Sequence, residues 1–295
     1  MIRLHKMHNT TAGRIFDVFN LILLGILGLA TVVPFLYIIG GSFATESELA
    51  TRPFFIIPEN FTTAAYQYIF STDSVIRSLG VSVFVTVVGT LISLILTLTF
   101  AYPLSRKEMM GRNVILNLIL FSMLFSGGMI PTYLLVKGLG LLDSLWALIL
   151  PLAINPFYVI IVKTFFQELP KELEDASKMD GCSEIQTFWR VMLPLSKPVI
   201  ATFTLFYAVF YWNDFFQALL YLTDTTKWPI QLLLQQLVMV ANVGLGDLNE
   251  ATLYEPPEES VKLAVIVIAT IPILLFYPFL QKHFAKGVML GSVKG

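Results

Sequence analysis

Six apolar runs constrain this chain more than any motif it carries: about Ile15–Gly40, Val75–Leu104, Val114–Val136, Leu142–Phe166, Leu195–Leu222 and Val261–Phe284. Roughly 20 mostly apolar residues are needed for a helix to cross a bilayer core, and every run reaches that length. Backbone polar groups in lipid must be satisfied within the segment, so each run is expected as a helix. Composition agrees, because 56% of the residues are hydrophobic and 13% charged, half the roughly 25% charged share of a soluble domain. The expected fold is an all-α integral membrane protein with six transmembrane helices.

Several function classes drop out early. A net charge of −1 and the lack of a basic stripe interleaved with aromatics give nucleic acid no footing. One cysteine, Cys182, excludes an internal disulfide and a cysteine-based metal site. His5, His8 and His283 lie near the two ends, outside the body of the apolar runs, so an intramembrane metal centre lacks ligands. No metal ligand set and no catalytic set is expected.

The basic residues set an expected orientation. With a cytosolic N-terminus, 14 of the 19 lysines and arginines fall on inside segments, including Arg106, Lys107, Arg112, Lys171, Lys178 and Arg190. Arg52, Arg77, Lys137, Lys227 and Lys262 fall outside. This bias predicts that both termini are cytosolic, which six crossings satisfy. The first run follows Arg3, Lys6 and Arg14, but its apolar stretch is about twice the roughly 7–15 residues of a signal-peptide core, so an uncleaved helix is expected. The predicted organisation is a cytosolic N-terminus over 1–14, one six-helix domain over 15–286 and a cytosolic tail over 287–295. Pro34, Pro151, Pro156, Pro198, Pro272 and Pro278 sit inside spans, where each removes a backbone donor; they serve either packing or a pathway that opens and closes. No internal repeat is visible, so an inverted-repeat secondary transporter gains no support.

Glu168–Pro198 is the long charge-dense stretch on the expected cytosolic side, reading ELPKELEDASKMDGCSEIQTFWRVMLPLSKP. Pro170 suits a first helical turn, and Glu172, Glu174 and Asp175 suit a positive helix N-terminus. Leu173, Ala176 and Asp180 fall on one stripe, and Gly181 is free to stop the helix. Ser183 and Gln186 form a capping box that starts a second helix, with Ile185, Phe188, Trp189 and Met192 as its expected apolar face. Leu193-Pro194 then turns the chain into the fifth span. Two short helices at an angle, exposing carboxylates and small residues, are expected. Such a unit is either an interfacial helix pair or a knob on which a cytosolic partner docks.

Within this stretch the loop resembles the E-A-A-x3-G-x9-I-x-L-P motif of permeases from binding-protein-dependent ABC importers. The matching positions are Asp175, Ala176, Ser177, Gly181, Val191, Leu193 and Pro194, with spacing kept in full and conservative changes at three. The flanking M-D-G-C-S and L-P-L-S-K-P resemble the second permease subunit of the maltose-permease-like carbohydrate branch. The outer aromatic F-F-x-I-P, the Y-W-N-D-F of span five and the tail Q-K-H-F-A-K-G-V-M-L-G-S-V-K-G fit the same family, the tail resembling its oligosaccharide and uronate branch. The resemblance implies that Glu174, Asp175, Ala176, Ser177, Asp180, Gly181, Val191, Leu193 and Pro194 couple the chain to an ATPase. It further implies a bacterial cytoplasmic-membrane assembly with a homologous second permease, two cytosolic ATPase subunits and an extracytosolic solute-binding protein, carrying a sugar or oligosaccharide. This chain has no G-x-x-x-x-G-K-[S/T] loop to cradle phosphates, so ATP and Mg belong on the partner ATPase and none is bound here.

Asp214 is the acidic residue well inside an expected span, a placement costing on the order of 3 kcal/mol. With Tyr211, Trp212 and Asn213 it either lines a sugar pathway or is satisfied by neighbouring helices, with Trp212 in an outer aromatic belt. Two rival classes remain at this point. An integral membrane enzyme would need acids, bases or metal ligands gathered at one face, whereas the carboxylates of Asp247–Glu259 read as a solvated loop. A secondary transporter would not need the docking loop.

Overall fold

The computed structural model describes residues 11–242 and 259–287, and every regular element among them is helical. They group into two compact units, 11–71 with 259–268 and 72–242 with 269–287.

In the first unit, helix α1 (Thr11–Gly41) carries no ionised side chain after Asp17. Of its apolar portion, Gly13–Gly41, only Gly40 and Gly41 at the end are buried; the portion is 29 residues long with a mean hydropathy of 2.5. At 1.5 Å per residue that is roughly 44 Å, more than a bilayer core of about 30 Å. Helices α2 (Glu46–Thr51) and α3 (Ala64–Ser71) follow. Glu48 orders the aromatic segment after α2. Its buried carboxylate accepts from Arg52 (2.7 Å) and from the backbone N–H groups of Glu59 (2.9 Å) and Asn60 (3.1 Å). Phe43 stacks on Phe61 and Tyr66 beside it. Glu46 accepts from the N–H groups of Glu259 and Ser260, which open the final helix.

The second unit is built on α4 (Asp73–Ser105), 33 residues with a mean hydropathy of 2.5. Its buried stripe is made of small or hydroxylated residues: Ser78, Ser82, Gly89, Ser93, Thr97 and Ala101. Small residues at this spacing let another helix approach closely where no hydrophobic drive separates helix from lipid. Helices α5 (Arg112–Leu124), α6 (Met129–Gly138), α7 (Trp146–Ile149) and α8 (Pro156–Glu168) come next. They are followed by α9 (Glu172–Met179), α10 (Glu184–Thr187) and, after a π-helical turn over Phe188–Met192, α11 (Leu193–Leu195). Helices α12 (Lys197–Asn213), α13 (Phe216–Tyr221), α14 (Ile230–Asn242) and α15 (Glu259–Gly287) complete the chain. Helix α12 sends tyrosines into the α4 stripe. The Tyr207 hydroxyl meets Thr97 Oγ1 at 2.7 Å, and the Tyr211 hydroxyl meets Ser93 Oγ at 2.9 Å. Because Tyr211 has one proton and the Ile149 carbonyl (3.3 Å) accepts it, Ser93 is the donor to Tyr211. At Gly89 the Tyr211 ring occupies the space a side chain would fill.

Three of the expected spans are broken rather than continuous. Helices α5 and α6 meet at 117°, α7 and α8 at 52°, and the segment Glu184–Leu195 meets α12 at 80°. The first break falls at Ser126-Gly127-Gly128, with Gly128 at φ 87°. At the second, Pro151 lies in a 3₁₀ turn and Pro156 opens α8, whose first N–H groups are capped by Asn155 Oδ1. Pro198 likewise sits in the first turn of α12. These prolines start helical turns, where their missing N–H costs nothing; of the six expected within spans, Pro34, Pro272 and Pro278 lie within continuous helices. Among the described residues two helices are long and apolar enough to cross a membrane singly, and up to five spans result if each bent pair is one. The sixth expected run, Val261–Phe284, lies in α15, whose side chains past residue 275 are outside the described residues.

One polar latch ties two loops of this unit. Asp143, at φ 56°, donates its N–H to the Tyr221 carbonyl (2.8 Å), and its carboxylate accepts from Lys227 Nζ (2.8 Å) and the N–H groups of Thr223 and Asp224. The Lys227 ammonium, with those two N–H groups, holds the Asp143 carboxyl at a pKa of about 2.

Candidate coupling site

The segment 168–198 folds into a rigid two-helix knob, and local chemistry explains each part. Helix α9 carries Glu172, Glu174 and Asp175 in its first turn and Lys178 in its last, as the helix dipole favours. Pro170 precedes the helix instead of entering it, because Lys171 is the N-cap. Gly181, at φ 77°, closes α9: its N–H reaches the Lys178 carbonyl and the Cys182 N–H reaches the Ser177 carbonyl, both at 3.0 Å. That paired closure needs a left-handed residue, so glycine is the natural occupant. Ser183 then opens α10 with a reciprocal capping box to Gln186. Only Asp180 to Ser183 separate the two helices, which leaves the elbow little freedom.

The two helices are also joined side to side. Ser177 Oγ lies 2.8 Å from the Glu174 carbonyl and 2.9 Å from Thr187 Oγ1, with Ser177 and Thr187 both buried. Ser177 spends its one proton on the carbonyl, so Thr187 donates to Ser177. Lys178 on α9 pairs with Glu184 on α10 at 2.9 Å. The bond to Lys178 lowers the Glu184 pKa and the same bond raises that of Lys178.

The expected docking residues separate into outward and inward groups. Asp175, Ala176, Asp180 and Gly181 are exposed. Glu174 is not presented outward, because its carboxylate is paired with Arg106 at the end of α4, the two side chains being 15% and 19% exposed. Ser177 is a buried tie. Val191 and Leu193 are half-buried and Pro194 exposed. Pro194 is not the turn into span five. The helix continues through it to Leu195, and the 80° bend follows at Ser196. Pro194 lacks an N–H, and just before it the Leu193 N–H bonds to the Phe188 carbonyl across a π turn. The expected apolar face also splits: Phe188 and Met192 are buried, while Ile185 (72%) and Trp189 (58%) point out.

Tyr211, Trp212, Asn213 and Asp214 lie at the break between α12 and α13. Trp212 is buried, neither in an outer belt nor open for stacking, and its Nε1 donates to the Ala269 carbonyl at 3.1 Å. Tyr211 is buried against α4, and Asn213 is exposed with its amide on the Val209 carbonyl. Asp214 sits just beyond the helix it was expected to lie within, and its carboxylate accepts from the Gln217 N–H at the start of α13. Tyr102 and Thr187 escaped the sequence reading, and Arg106 entered it only as a basic residue of an inside segment, since nothing local marks them as partners of the knob. The small-residue stripe of α4 also went unread, although its spacing was there to find it. The expected tail 287–295 beyond Gly287, the expected solvated loop Asp247–Glu259 up to Glu259, and His5 and His8 lie outside the described residues. Among the described residues no group of His, Cys, Asp and Glu gathers to hold a metal ion.

Broken apolar helices carrying a charged two-helix knob suit a translocation subunit of a membrane, a permease. The chain belongs to the family of binding-protein-dependent transport system inner membrane components, whose model matches residues 108–290. It is 63% identical to Protein LplC of Bacillus subtilis strain 168 over 295 residues, the full length of both. It is 55% identical over 284 residues, 96% of this chain and 99% of the other, to the polygalacturonan/rhamnogalacturonan transport system permease protein YtcP of the same organism. Among solved structures it matches a chain of a bacterial ABC transporter involved in the import of the acidic polysaccharide alginate. That match has a TM-score of 0.86 and 33% identity, covering 95% of this chain and all of that one.

Proposed function

We propose that this chain is one of two permease subunits of an ATP-driven importer for acidic oligosaccharides in a bacterial cytoplasmic membrane. It spans the membrane six times as one domain over 15–286, with both termini cytosolic. The sidedness of its lysines and arginines supports that orientation. A second permease completes the pathway, an extracytosolic binding protein delivers the cargo, and two ATPase subunits bind ATP and Mg. The observation that carries the reading is the knob at 168–194, a rigid body whose exposed rim holds Asp175, Ala176, Asp180 and Gly181. It is seated in a chain with full-length likeness to oligosaccharide permeases. Acidic cargo follows from the polygalacturonan/rhamnogalacturonan and alginate relatives. The pathway edge is assigned to the α12–α13 break, with Asn213 and Asp214 foremost and Tyr211 and Trp212 as packing behind them.

The test is a reconstituted complex of the two permeases and the ATPase. Asp175→Lys and Gly181→Trp are expected to leave the chain in the membrane but detach the ATPase or silence its stimulation by loaded binding protein. Oligogalacturonides are expected to stimulate hydrolysis and neutral malto-oligosaccharides not to. Full recovery and stimulation of the ATPase with both variants would overturn the docking assignment.

A further inference from the structure

We propose that Arg106 is a positioning residue that fastens the coupling knob to α4, so that ATPase motion reaches α4 as well as the two helices joined covalently to the knob. The proposal rests on the reading of 168–194 as the ATPase-docking element. Of its residues only Glu174 belongs to the set expected to couple to the ATPase, and here it faces α4.

Along the chain, the knob is attached only to α8, through Leu169-Pro170, and to α12, through Ser196. Arg106 adds a third attachment. It stands at the C-cap of α4, where a cation is favoured by the negative end of the helix. One guanidinium nitrogen pairs with Glu174 of α9 and another donates to the Tyr102 hydroxyl. The guanidinium also lies over the Tyr102 ring, 4.5 Å from its centroid. Tyr102 is itself buried, packed on Phe166 of α8 and on Phe188 in the π turn, and its hydroxyl makes a long 3.5 Å contact to Glu184. The remaining guanidinium nitrogen, Nε, is buried with no partner. A largely enclosed cation with one anionic partner resists separation, because opening the pair would leave an uncompensated charge.

The end of α4 is held from other sides as well. Arg112 Nε donates to the Leu104 carbonyl at 2.9 Å, and Gln167 Nε2 of α8 donates to the Ser105 carbonyl at 3.1 Å. These side chains satisfy carbonyls that a helix end leaves free. Above this end, α4 is locked to α12 by the Thr97–Tyr207 and Ser93–Tyr211 bonds. A displacement of α9 is therefore delivered through Glu174 and Arg106 to α4, in register with the displacement that α12 receives through Ser196. Glu174 acts inward as half of this joint, and Asp175 beside it is the carboxylate left for the ATPase.

A cross-link in the whole complex tests this. In a Cys182→Ala background, Arg106→Cys is combined with Glu174→Cys, and the complex is assayed before and after a short bismaleimide bridges the pair. The readouts are ATPase co-purification and the hydrolysis stimulated by binding protein charged with an oligogalacturonide digest. Before bridging, the ATPase should co-purify while stimulation falls about tenfold, equivalent to about 1.4 kcal/mol of lost coupling. After bridging, stimulation should return. Arg106→Glu with Glu174→Arg provides a second rescue without reagent. Unimpaired stimulation in the unbridged pair, or loss of stimulation on bridging, would overturn the joint. Loss of the ATPase itself from the unbridged complex would also overturn it, since Arg106 would then shape the docking face. The docking reading fails on a different result, retention of a fully stimulated ATPase by Asp175→Lys.

Discussion

Gly89→Ala is a one-carbon change that should measure how tightly α12 is seated on α4. A Cβ at residue 89 would stand 2.8 Å from Cε2 and Cζ of Tyr211 and 2.9 Å from its Cδ2. Carbon atoms in contact prefer about 3.5–4.0 Å, so the ring would have to withdraw by roughly 0.7 Å or more. It has little room, being 2% exposed with its hydroxyl bonded to Ser93 and to the Ile149 carbonyl. Overpacking of this kind costs about 1–3 kcal/mol, offset by up to about 1 kcal/mol from alanine's better helix propensity. A net destabilisation of about 1–2 kcal/mol is expected. Gly80 on the same helix is the control, because a Cβ there meets nothing within 4 Å; Gly80→Ala should be neutral or stabilising by up to about 1 kcal/mol. Unfolding in detergent, followed by tryptophan fluorescence against denaturant, reads both. Combining Gly89→Ala with Tyr211→Leu should abolish most of the alanine penalty, a coupling of about 1 kcal/mol or more. If Gly89→Ala unfolds at the same midpoint as Gly80→Ala or above it, the close approach of Tyr211 to α4 is wrong.

Thr97→Val removes the nearer of two partners of the buried Tyr207 hydroxyl at nearly constant volume, leaving only the 3.4 Å contact from the Asn155 N–H. It should cost about 1–3 kcal/mol by the same assay, and less when Tyr207 is Phe. The Asp143–Lys227 latch has a carboxyl held near 2 instead of its ordinary 3.8. Its contribution should be complete above pH 3.8 and disappear as pH falls toward 2. Asp143→Asn should flatten that acid limb, measured as protection of the 223–227 loop from an acid protease. Cys182, half-exposed in the elbow of the knob, should react with an impermeant maleimide in inside-out vesicles and not in intact cells; the reverse pattern would invert the proposed orientation.

The knob shows how far local sequence reaches. Gly181, Ser183 and Gln186 act through groups within four residues of themselves, so the helix stop and the capping box could be read from their order. The run of small and hydroxylated residues on α4 carries a helix-packing signal of the same local kind, although it went unread. The helix breaks were less legible, because an apolar run has the same composition whether or not it bends. Pro151, Pro156 and Pro198 read as kinks within spans until their places at helix starts were known. Asp214 read as a charge in a span for the same reason: α12 ends one residue before it.

The sequence by itself determined that this chain is a bundle of apolar helices with a two-helix elbow of fixed internal geometry. Hydrophobic run length, charge sidedness and capping are properties of neighbouring residues, and they need no knowledge of what packs against them. Tertiary structure alone decided the direction in which each charged or aromatic group of the knob faces. Glu174 turns inward because Arg106, 68 positions earlier in the chain, ends α4 beside it. Phe188 and Met192 go to the core while Ile185 and Trp189 stay outside, because α10 runs on through a π turn against Tyr102 and Phe166. Tyr211 and Trp212 read either as a surface for sugar or as packing and an outer belt until Ser93 and the Ala269 carbonyl claimed their polar atoms. Each of these outcomes depends on a partner far away in sequence, and such pairings are fixed only when the helices pack.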